Sequence, residues 1–292
     1  MGLLNKVEVS SAKKGKKINV YPYLLEPRSF YGDMEVDHLV KFKDSLSSLI
    51  GKYHGTWNKN NLFKDGIVIL ENYYDESKRL MIEINKLASK IVNNPALYDD
   101  KSISTEYYHM ADAGYKMLIK HQDEFDFNRR EMIPLSLERA GLVTTRLALG
   151  LGKDGIVKDE VRVVTKRTHL KAESTTNLSV TVLWRDLRVL RKINKKPILM
   201  ADFVNPASGA STLALVLSAR KHKIVPLAIY NRSISSTKKG IFFMKKALME
   251  LGIKSYFYSV GVADEMNSTY YLVGDRTVAD AGHILRHYLP KN

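Results

Sequence analysis

The residues best placed to do chemistry lie between positions 197 and 211, where a short apolar run ends at an acidic residue and a stretch of small residues follows. The run Ile198-Leu199-Met200 is typical of a strand buried on both faces. Asp202 stands where this strand should end. The small residues Ser208, Gly209, Ala210 and Ser211 predict a loop, and the spacing after them predicts a helix over residues 212–221.

A strand, a small-residue loop and a helix N-terminus together favour phosphate binding, because the first N–H groups of a helix have no partner within it. An acidic residue at the strand end can hold ribose hydroxyls or a metal ion that travels with the phosphate. The alternative is an ordinary connection between a strand and a helix, which the same residues would also form.

The composition limits the kinds of protein this chain can be. Its 292 residues suffice for one large or two modest domains, and an apolar content of 45% is ordinary for a globular protein. There are no cysteines, which excludes disulfides and thiolate metal sites. No apolar run approaches membrane-spanning length, and the N-terminal residues show no signal-peptide pattern. We therefore expect a cytoplasmic protein without a membrane partner.

Positive charge is concentrated in the second half of the chain. The net charge is +15; residues 1–130 carry 20 Lys/Arg and 18 Asp/Glu, whereas residues 131–292 carry 26 and 13. A basic half that also holds the predicted phosphate loop favours a polyanionic ligand, either a multiply phosphorylated small molecule or a nucleic acid.

The patterning divides the chain at about residue 130. Residues 1–130 are expected to be a mainly helical extension, with helices over 35–53, 75–91 and 105–122 and one strand at 67–70. From residue 131 strands and helices alternate, which predicts an α/β domain over 131–292 built on a parallel sheet. Ligands of such sheets bind beyond the carboxyl ends of the strands.

Four motifs occur in the second half in a fixed order: Leu137-Glu138-Arg139-Ala140-Gly141, then Arg167, then residues 202–211, and finally residues 264–282. Together they resemble the uracil phosphoribosyltransferases, a branch of the type I phosphoribosyltransferase family, over residues 131–289. The resemblance implies the type I fold, a homodimer, and transfer of ribose 5-phosphate from phosphoribosyl pyrophosphate (PRPP) to a pyrimidine-like nucleobase. It also implies Mg²⁺ carried by PRPP, with no metal ligand supplied directly by the protein.

The resemblance assigns a role to each motif. Arg139, with the backbone of Ala140 and Gly141, would hold the pyrophosphate, and Arg167 would neutralise its charge. Asp202 would hold the ribose hydroxyls or Mg²⁺ through water. The 5-phosphate would lie against Ala207, Ser208, Gly209, Ala210 and Ser211. The base would lie against Tyr271, Val273, Gly274, Asp280, Ala281 and Gly282, with Asp264 and Asn267 nearby.

This chain departs from the family pattern in several places. The donor loop has one additional residue and contains Pro206, and His283 stands where the family has an aspartate. These changes predict a reshaped base pocket. The altered donor loop keeps open a non-catalytic module that senses PRPP or a nucleotide. The net charge of +13 in residues 131–292 and the additional N-terminal region keep open a transferase of the same fold that modifies a base within a nucleic acid.

Overall fold

A computed structural model describes most of the chain, namely residues 7–11, 35–42, 58–94, 96–97, 100–127, 132–137, 140–152, 154–168, 179–184, 187–202, 206–263 and 284–288. In these residues the fold is mixed α/β, with one nine-stranded sheet and seven α-helices. None of the helices in this part of the chain is long and apolar enough to cross a membrane.

The strands are β1 (Val7–Ser11), β2 (Glu35–Phe42), β3 (Ile67–Ile69), β4 (Ile133–Leu137), β5 (Val161–Thr168), β6 (Ser179–Trp184), β7 (Pro197–Ala201), β8 (Ala228–Thr237) and β9 (Lys254–Ala263). Their order across the sheet is β1-β2-β6-β5-β4-β7-β8-β9-β3. Six neighbouring strands, from β5 to β3, are parallel. The other three, β6, β2 and β1, add an antiparallel edge.

The sheet therefore corrects the prediction of a purely parallel arrangement. The predicted helix over 35–53 is also wrong where the structure describes it, because residues 35–42 form β2. Within β2, His38, Val40 and Phe42 are buried and Lys41 is exposed. This alternation is the period of a strand, and the apolar spacing of the sequence fits both periods.

The helices are α1 (Lys59–Lys64), α2 (Asp75–Asn93), α3 (Lys101–Lys120), α4 (Ala140–Ala148), α5 (Leu187–Leu190), α6 (Pro206–Lys221) and α7 (Lys238–Glu250). They cover both faces of the sheet, which gives three layers. One core cluster contains residues of α2, α3 and α4, and the other contains residues of α6 and α7. Strand β3 shows the alternation: Ile67 and Ile69 belong to one cluster and Val68 to the other.

Residues 1–130 take part in the same sheet. They supply β1 and β2 at one edge and β3 at the other, in addition to the helices α2 and α3 that the sequence predicted. The division into two domains at residue 130 stays a prediction.

A buried histidine joins the antiparallel edge to α6. The His38 side chain is 6% exposed, its Nδ1 lies 2.7 Å from the Ser218 hydroxyl, and its ring meets that of His222 edge-on at 5.5 Å. Burial lowers the pKa of His38, and the neighbouring charges of His222 and Lys221 lower it further.

We expect acid to weaken the fold through His38. The pKa of His38 is lower in the folded chain than in the unfolded chain, where it is about 6.5. The contribution of neutral His38 to stability is therefore present above about pH 6.5, and it is lost as the pH falls toward the folded pKa, by up to about 1.4 kcal/mol per pH unit. Urea unfolding between about pH 7.5 and pH 5.5 measures the effect. His38→Gln should flatten this dependence, and the exposed His109→Gln should not. An unchanged slope in His38→Gln would contradict the assignment.

Candidate functional site

The sheet reverses its direction of growth between β4 and β7. From β4 the chain passes through α4 to β5 on one side, and it later returns to form β7 on the other side of β4. A crevice opens at the carboxyl ends of parallel strands where such a reversal occurs, and ligands bind there. Asp202 follows β7 directly, and Ala140 begins α4 shortly after β4. The fold therefore brings these two predicted site residues together at the carboxyl ends of the parallel strands, which we call the carboxyl edge of the sheet.

The peptide group that precedes the Asp202 side chain is held from both sides. Its N–H, from Asp202, donates to the Arg232 carbonyl at 3.2 Å. Its carbonyl, from Ala201, accepts a hydrogen bond from the Thr144 hydroxyl of α4. The Arg232 carbonyl also accepts from the Tyr115 hydroxyl of α3 at 3.5 Å. These contacts fix the direction in which the Asp202 carboxylate leaves the strand.

Two buried tyrosines of α3 lie close to Asp202. Tyr107 is 4% exposed and Tyr115 is 1% exposed. Burial raises the pKa of both hydroxyls, and the negative charge of Asp202 raises each pKa further. Of the two hydroxyls, that of Tyr115 donates to the Arg232 carbonyl, the same carbonyl that accepts from the Asp202 N–H.

Nothing in the sequence marks these tyrosines as functional. Tyr107 belongs to an aromatic cluster with Tyr108 and His109 that is typical of core or edge residues, and Tyr115 has no distinguishing pattern around it. Their spacing of eight residues places them on one face of α3, but this spacing is equally that of an ordinary core-facing stripe. Only the packing of α3 against β8 and α4 shows that they reach Asp202.

Two predicted arginines have no described side chain. Arg139 lies outside the described residues, and Arg167 lies in β5 with only its backbone described. Ala140 and Gly141 form the first turn of α4. A Cβ on Gly141 would lie 3.5 Å from the Ser136 carbonyl carbon, which is an ordinary contact. Packing therefore does not require glycine at position 141.

The small residues after Asp202 belong to a helix and not to a loop. Helix α6 begins at Pro206, six residues before the predicted start. Proline is favoured at the first position of a helix, because its missing N–H would have no partner there and its φ is already helical. Ala207 and Ser208 are therefore in the first turn, and Gly209, Ala210 and Ser211 are buried. The first-turn N–H groups of α6 have no acceptor within the helix, so they are the donors that this helix end can offer a ligand.

Comparison with known proteins gives matches among solved structures only, since no family model and no curated protein matches the chain. It is similar to the AQ2163 protein from Aquifex aeolicus, with a TM-score of 0.46 and 13% identity over 75% of this chain and 97% of the other. It is also similar to an APRTase from Giardia lamblia, with a TM-score of 0.35 and 14% identity over 61% of this chain and 85% of the other. Another match is the adenine phosphoribosyltransferase from Saccharomyces cerevisiae, with a TM-score of 0.30 and 14% identity over 57% of this chain and 82% of the other. Similarities of this size do not define a shared substrate.

Gly209 has a packing role at the contact between α6 and α7. A Cβ at this position would lie 2.9 Å from Met244 Cγ and 3.0 Å from the Phe243 ring. Both neighbours are buried core residues with little room to move. The absence of a side chain at position 209 therefore lets the two helices approach.

We expect Gly209→Ala to destabilise the fold by about 1–3 kcal/mol, because the overpacking outweighs the gain of about 1 kcal/mol that alanine brings to a helix. Gly141→Ala is the matched control, since its Cβ meets only ordinary contacts and its stability should not fall. Urea unfolding of both variants makes the comparison. Equal stability of the two variants would contradict the packing role of Gly209.

The predicted base segment falls outside the described residues, including Asp264, Asn267 and all residues assigned to the base. The chain is described on both sides of it. Strand β9 ends at Ala263, at the carboxyl edge of the sheet. Beyond the segment, the Ile284 carbonyl accepts from the Ser104 hydroxyl, and the Tyr288 ring stacks on Tyr108 at 4.0 Å. The chain that follows the segment is thus held against α3, the helix that contains Tyr107 and Tyr115.

Hydroxyl groups also line the carboxyl ends of β8 and β9. Ser233 Oγ lies 2.7 Å from Ser236 Oγ and donates to Ser259 Oγ at 3.1 Å, and Ser259 donates to the Gly261 carbonyl at 2.7 Å. These buried hydroxyls form hydrogen bonds with one another and with the backbone, so their presence is explained by the fold and does not require a ligand. Among the described residues, no group of three or more His, Asp or Glu side chains could hold a metal ion.

Proposed function

We propose that this chain is a phosphoribosyltransferase-like enzyme, which transfers ribose 5-phosphate from PRPP to a nucleobase-like acceptor and releases pyrophosphate. The observation that carries the proposal is the position of Asp202. It lies on a peptide group held by Thr144 and the Arg232 carbonyl, at the reversal point between β4 and β7. The N-termini of α4 and α6 follow the same two strands.

This arrangement suits the proposed reaction because displacement at C1 of the ribose passes through an oxocarbenium-like state. Such a state needs positioning and charge stabilisation more than a protein nucleophile. Asp202 would hold the ribose hydroxyls, and the first-turn N–H groups of α6 would bind the 5-phosphate. Arg139, with the backbone of Ala140 and Gly141, would hold the pyrophosphate, and Arg167 would neutralise its charge.

The donor set at the site fits magnesium that arrives with PRPP. Mg²⁺ is usually held by one or two carboxylates together with phosphate oxygens of the substrate and water. Asp202 supplies one half-buried carboxylate at the crevice. Bound there through water, the ion would supply positive charge to the pyrophosphate.

The acceptor is the part of the proposal that depends most on the resemblance. A pyrimidine-like base would lie against the segment that contains Tyr271, Gly274 and Asp280, and the backbone would provide most of its contacts. The departure at His283 argues for a pocket that differs from one made for uracil. On the same resemblance we propose a cytoplasmic homodimer.

The test is pyrophosphate release from PRPP with Mg²⁺, screened over free bases and over single- and double-stranded DNA and RNA. Release with one free base supports the proposal and identifies the acceptor. Release with polymers alone would overturn the free-base acceptor in favour of a base within a nucleic acid. PRPP binding without release in any mixture would overturn the enzyme and leave a sensor, and no PRPP binding would overturn the site.

A further inference from the structure

The edge of the sheet opposite the proposed site carries a second surface, formed by residues 154–159, 187–196, 220–227 and 249–254. Each of these four segments leads into a parallel strand, β5, β7, β8 or β9, so all of them lie at the amino edge of the sheet. We call them the amino-edge surface. Contacts join each segment to the next: Lys192 Nζ to the Asp159 carboxylate (2.6 Å), the Leu227 N–H to the Lys196 carbonyl (2.9 Å), and the Arg220 guanidinium to the Leu251 carbonyl (3.3 Å).

The amino-edge surface is strongly basic. Its four segments contain ten Lys/Arg, all of them exposed, against three Asp/Glu. The four segments therefore carry a net charge of +7, more than half of the +13 carried by residues 131–292. Much of the positive excess of the second half is therefore displayed away from the proposed PRPP site.

The amino-edge surface also exposes large apolar side chains. Ile156, Met249 and Leu227 are 84%, 72% and 60% exposed, and these are the three most exposed large hydrophobic residues in the described part of the chain. They lie on three of the four segments. Single exposed apolar residues are common on proteins, but their collection on one basic edge is a distinct feature.

Lysine occupies backbone positions on this surface that favour glycine. Helices α4, α6 and α7 end in the same pattern of two closing hydrogen bonds, with a residue of positive φ between them. In α4 and α7 this residue is Gly150 (φ 71°) and Gly252 (φ 73°), but in α6 it is Lys223 (φ 62°). Lys195 has the same strained conformation (φ 56°) in the neighbouring segment. Asp159, which pairs with Lys192 on the same surface, also has a positive φ (57°). A side chain in this conformation is unfavourable, so charged residues are retained at these positions against backbone preference.

The helix dipole accounts for part of this charge. Basic residues near the C-terminus of a helix are favoured by its dipole, and six of the seven described helices have one in the last turn. Helix α7 ends at the same edge without one. Lys195 follows only a short 3₁₀ turn, so the dipole of an α-helix does not explain its charge.

We propose that the amino-edge surface docks the protein peripherally on an anionic lipid membrane. Anionic lipid headgroups attract lysines near the membrane surface. Exposed apolar side chains insert at the boundary between headgroups and acyl chains. A second copy of the chain would bring like charges together, and a nucleic acid would leave the three apolar side chains without partners. The sequence led us to expect no membrane partner because it lacks a spanning segment, but surface docking needs none.

Sedimentation of the full chain with vesicles tests the proposal. We expect binding to phosphatidylcholine vesicles that contain roughly a third phosphatidylserine, no binding to phosphatidylcholine alone, and weaker binding as salt is added. The double variant Lys195→Gly/Lys223→Gly should bind about tenfold or more weakly. Because glycine relieves the backbone, its melting temperature should not fall, which separates lost affinity from lost folding.

A second pair of variants separates lipid from nucleic acid. Leu227→Ser/Met249→Ser should weaken vesicle binding, whereas Ile82→Ser and Lys90→Ser, at exposed positions on α2, should not. Three results would overturn the proposal: no binding of the unmodified chain to anionic vesicles, variants that bind as it does, or binding to DNA or RNA that ignores the apolar substitutions. The last result would assign the amino-edge surface to nucleic acid. None of these outcomes depends on phosphoribosyl transfer.

Discussion

Replacing Asp202 with asparagine is expected to lower kcat/KM for the proposed transfer on the order of 10²–10³-fold, because the carboxylate would be lost where positive charge develops on the ribose. Asparagine has nearly the same shape and could keep the backbone bond to Arg232. Stability should therefore change little, and the loss should appear mainly in kcat. Steady-state kinetics beside urea unfolding measures the two effects separately.

The residues that hold Asp202 provide a graded control. Thr144→Val removes the hydroxyl that bonds the Ala201 carbonyl and keeps the shape of the side chain, whereas Thr144→Ser keeps the hydroxyl. We expect kcat to fall in the valine variant by less than in Asp202→Asn, and to recover in the serine variant. Full activity in Asp202→Asn would remove Asp202 from the mechanism, and equal activity in both Thr144 variants would remove the positioning role of the hydroxyl.

Arg232→Met is expected to destabilise the fold by about 3 kcal/mol or more, since hydrogen bonds from charged donors each contribute about 1.5–3 kcal/mol and their buried acceptors would be left unsatisfied. Arg232 lies in β8 and is fully buried. Its guanidinium donates to the Phe127 carbonyl at 2.5 Å, the Gln122 side-chain oxygen at 3.1 Å and the Ala148 carbonyl at 3.2 Å. It thus ties the sheet to the ends of α3 and α4, the helices that hold Asp202.

Urea unfolding measures this effect, and Arg191→Met is the matched control. Arg191 is exposed, and its substitution removes the same charge. The free energy of unfolding of this variant should therefore stay within about 0.5 kcal/mol of that of the unmodified chain. We also expect Arg232→Met to lower activity, because it loosens the layer beneath the site. Equal stability of the two variants would show that the buried guanidinium contributes nothing to the fold.

The sequence predicted the alternating half of the fold well. The apolar patterning predicts strands at 132–135, 198–200 and 254–260 and a helix over 237–251 that ends at Gly252. Strands β4, β7 and β9 and helix α7 lie close to these positions. These elements have strong local signals, namely short apolar runs, helical periodicity and a glycine stop. The position of Asp202 at a strand end could also be predicted, because it depends only on where the apolar run stops.

The features that the sequence could not predict depend on contacts between distant segments. The local pattern of residues 35–42 fits a helix as well as a strand, and it is the pairing of β2 with β6 that decides for the strand. Because these two strands are far apart in the chain, no local pattern shows the pairing. The start of α6 at Pro206 was hidden by small residues that form loops or first turns equally well. The approach of Tyr115 to Asp202 depends on how α3 packs and has no local pattern.

The most direct test of the central claim is hydrogen exchange of the unmodified chain with and without PRPP and Mg²⁺, because it locates the ligand without requiring turnover. We predict slower exchange in peptides that cover residues 138–142 and 202–210, at the reversal point between β4 and β7, and unchanged exchange over residues 220–227. Unchanged exchange at the reversal point, or protection confined to the opposite edge of the sheet, would contradict the proposed site.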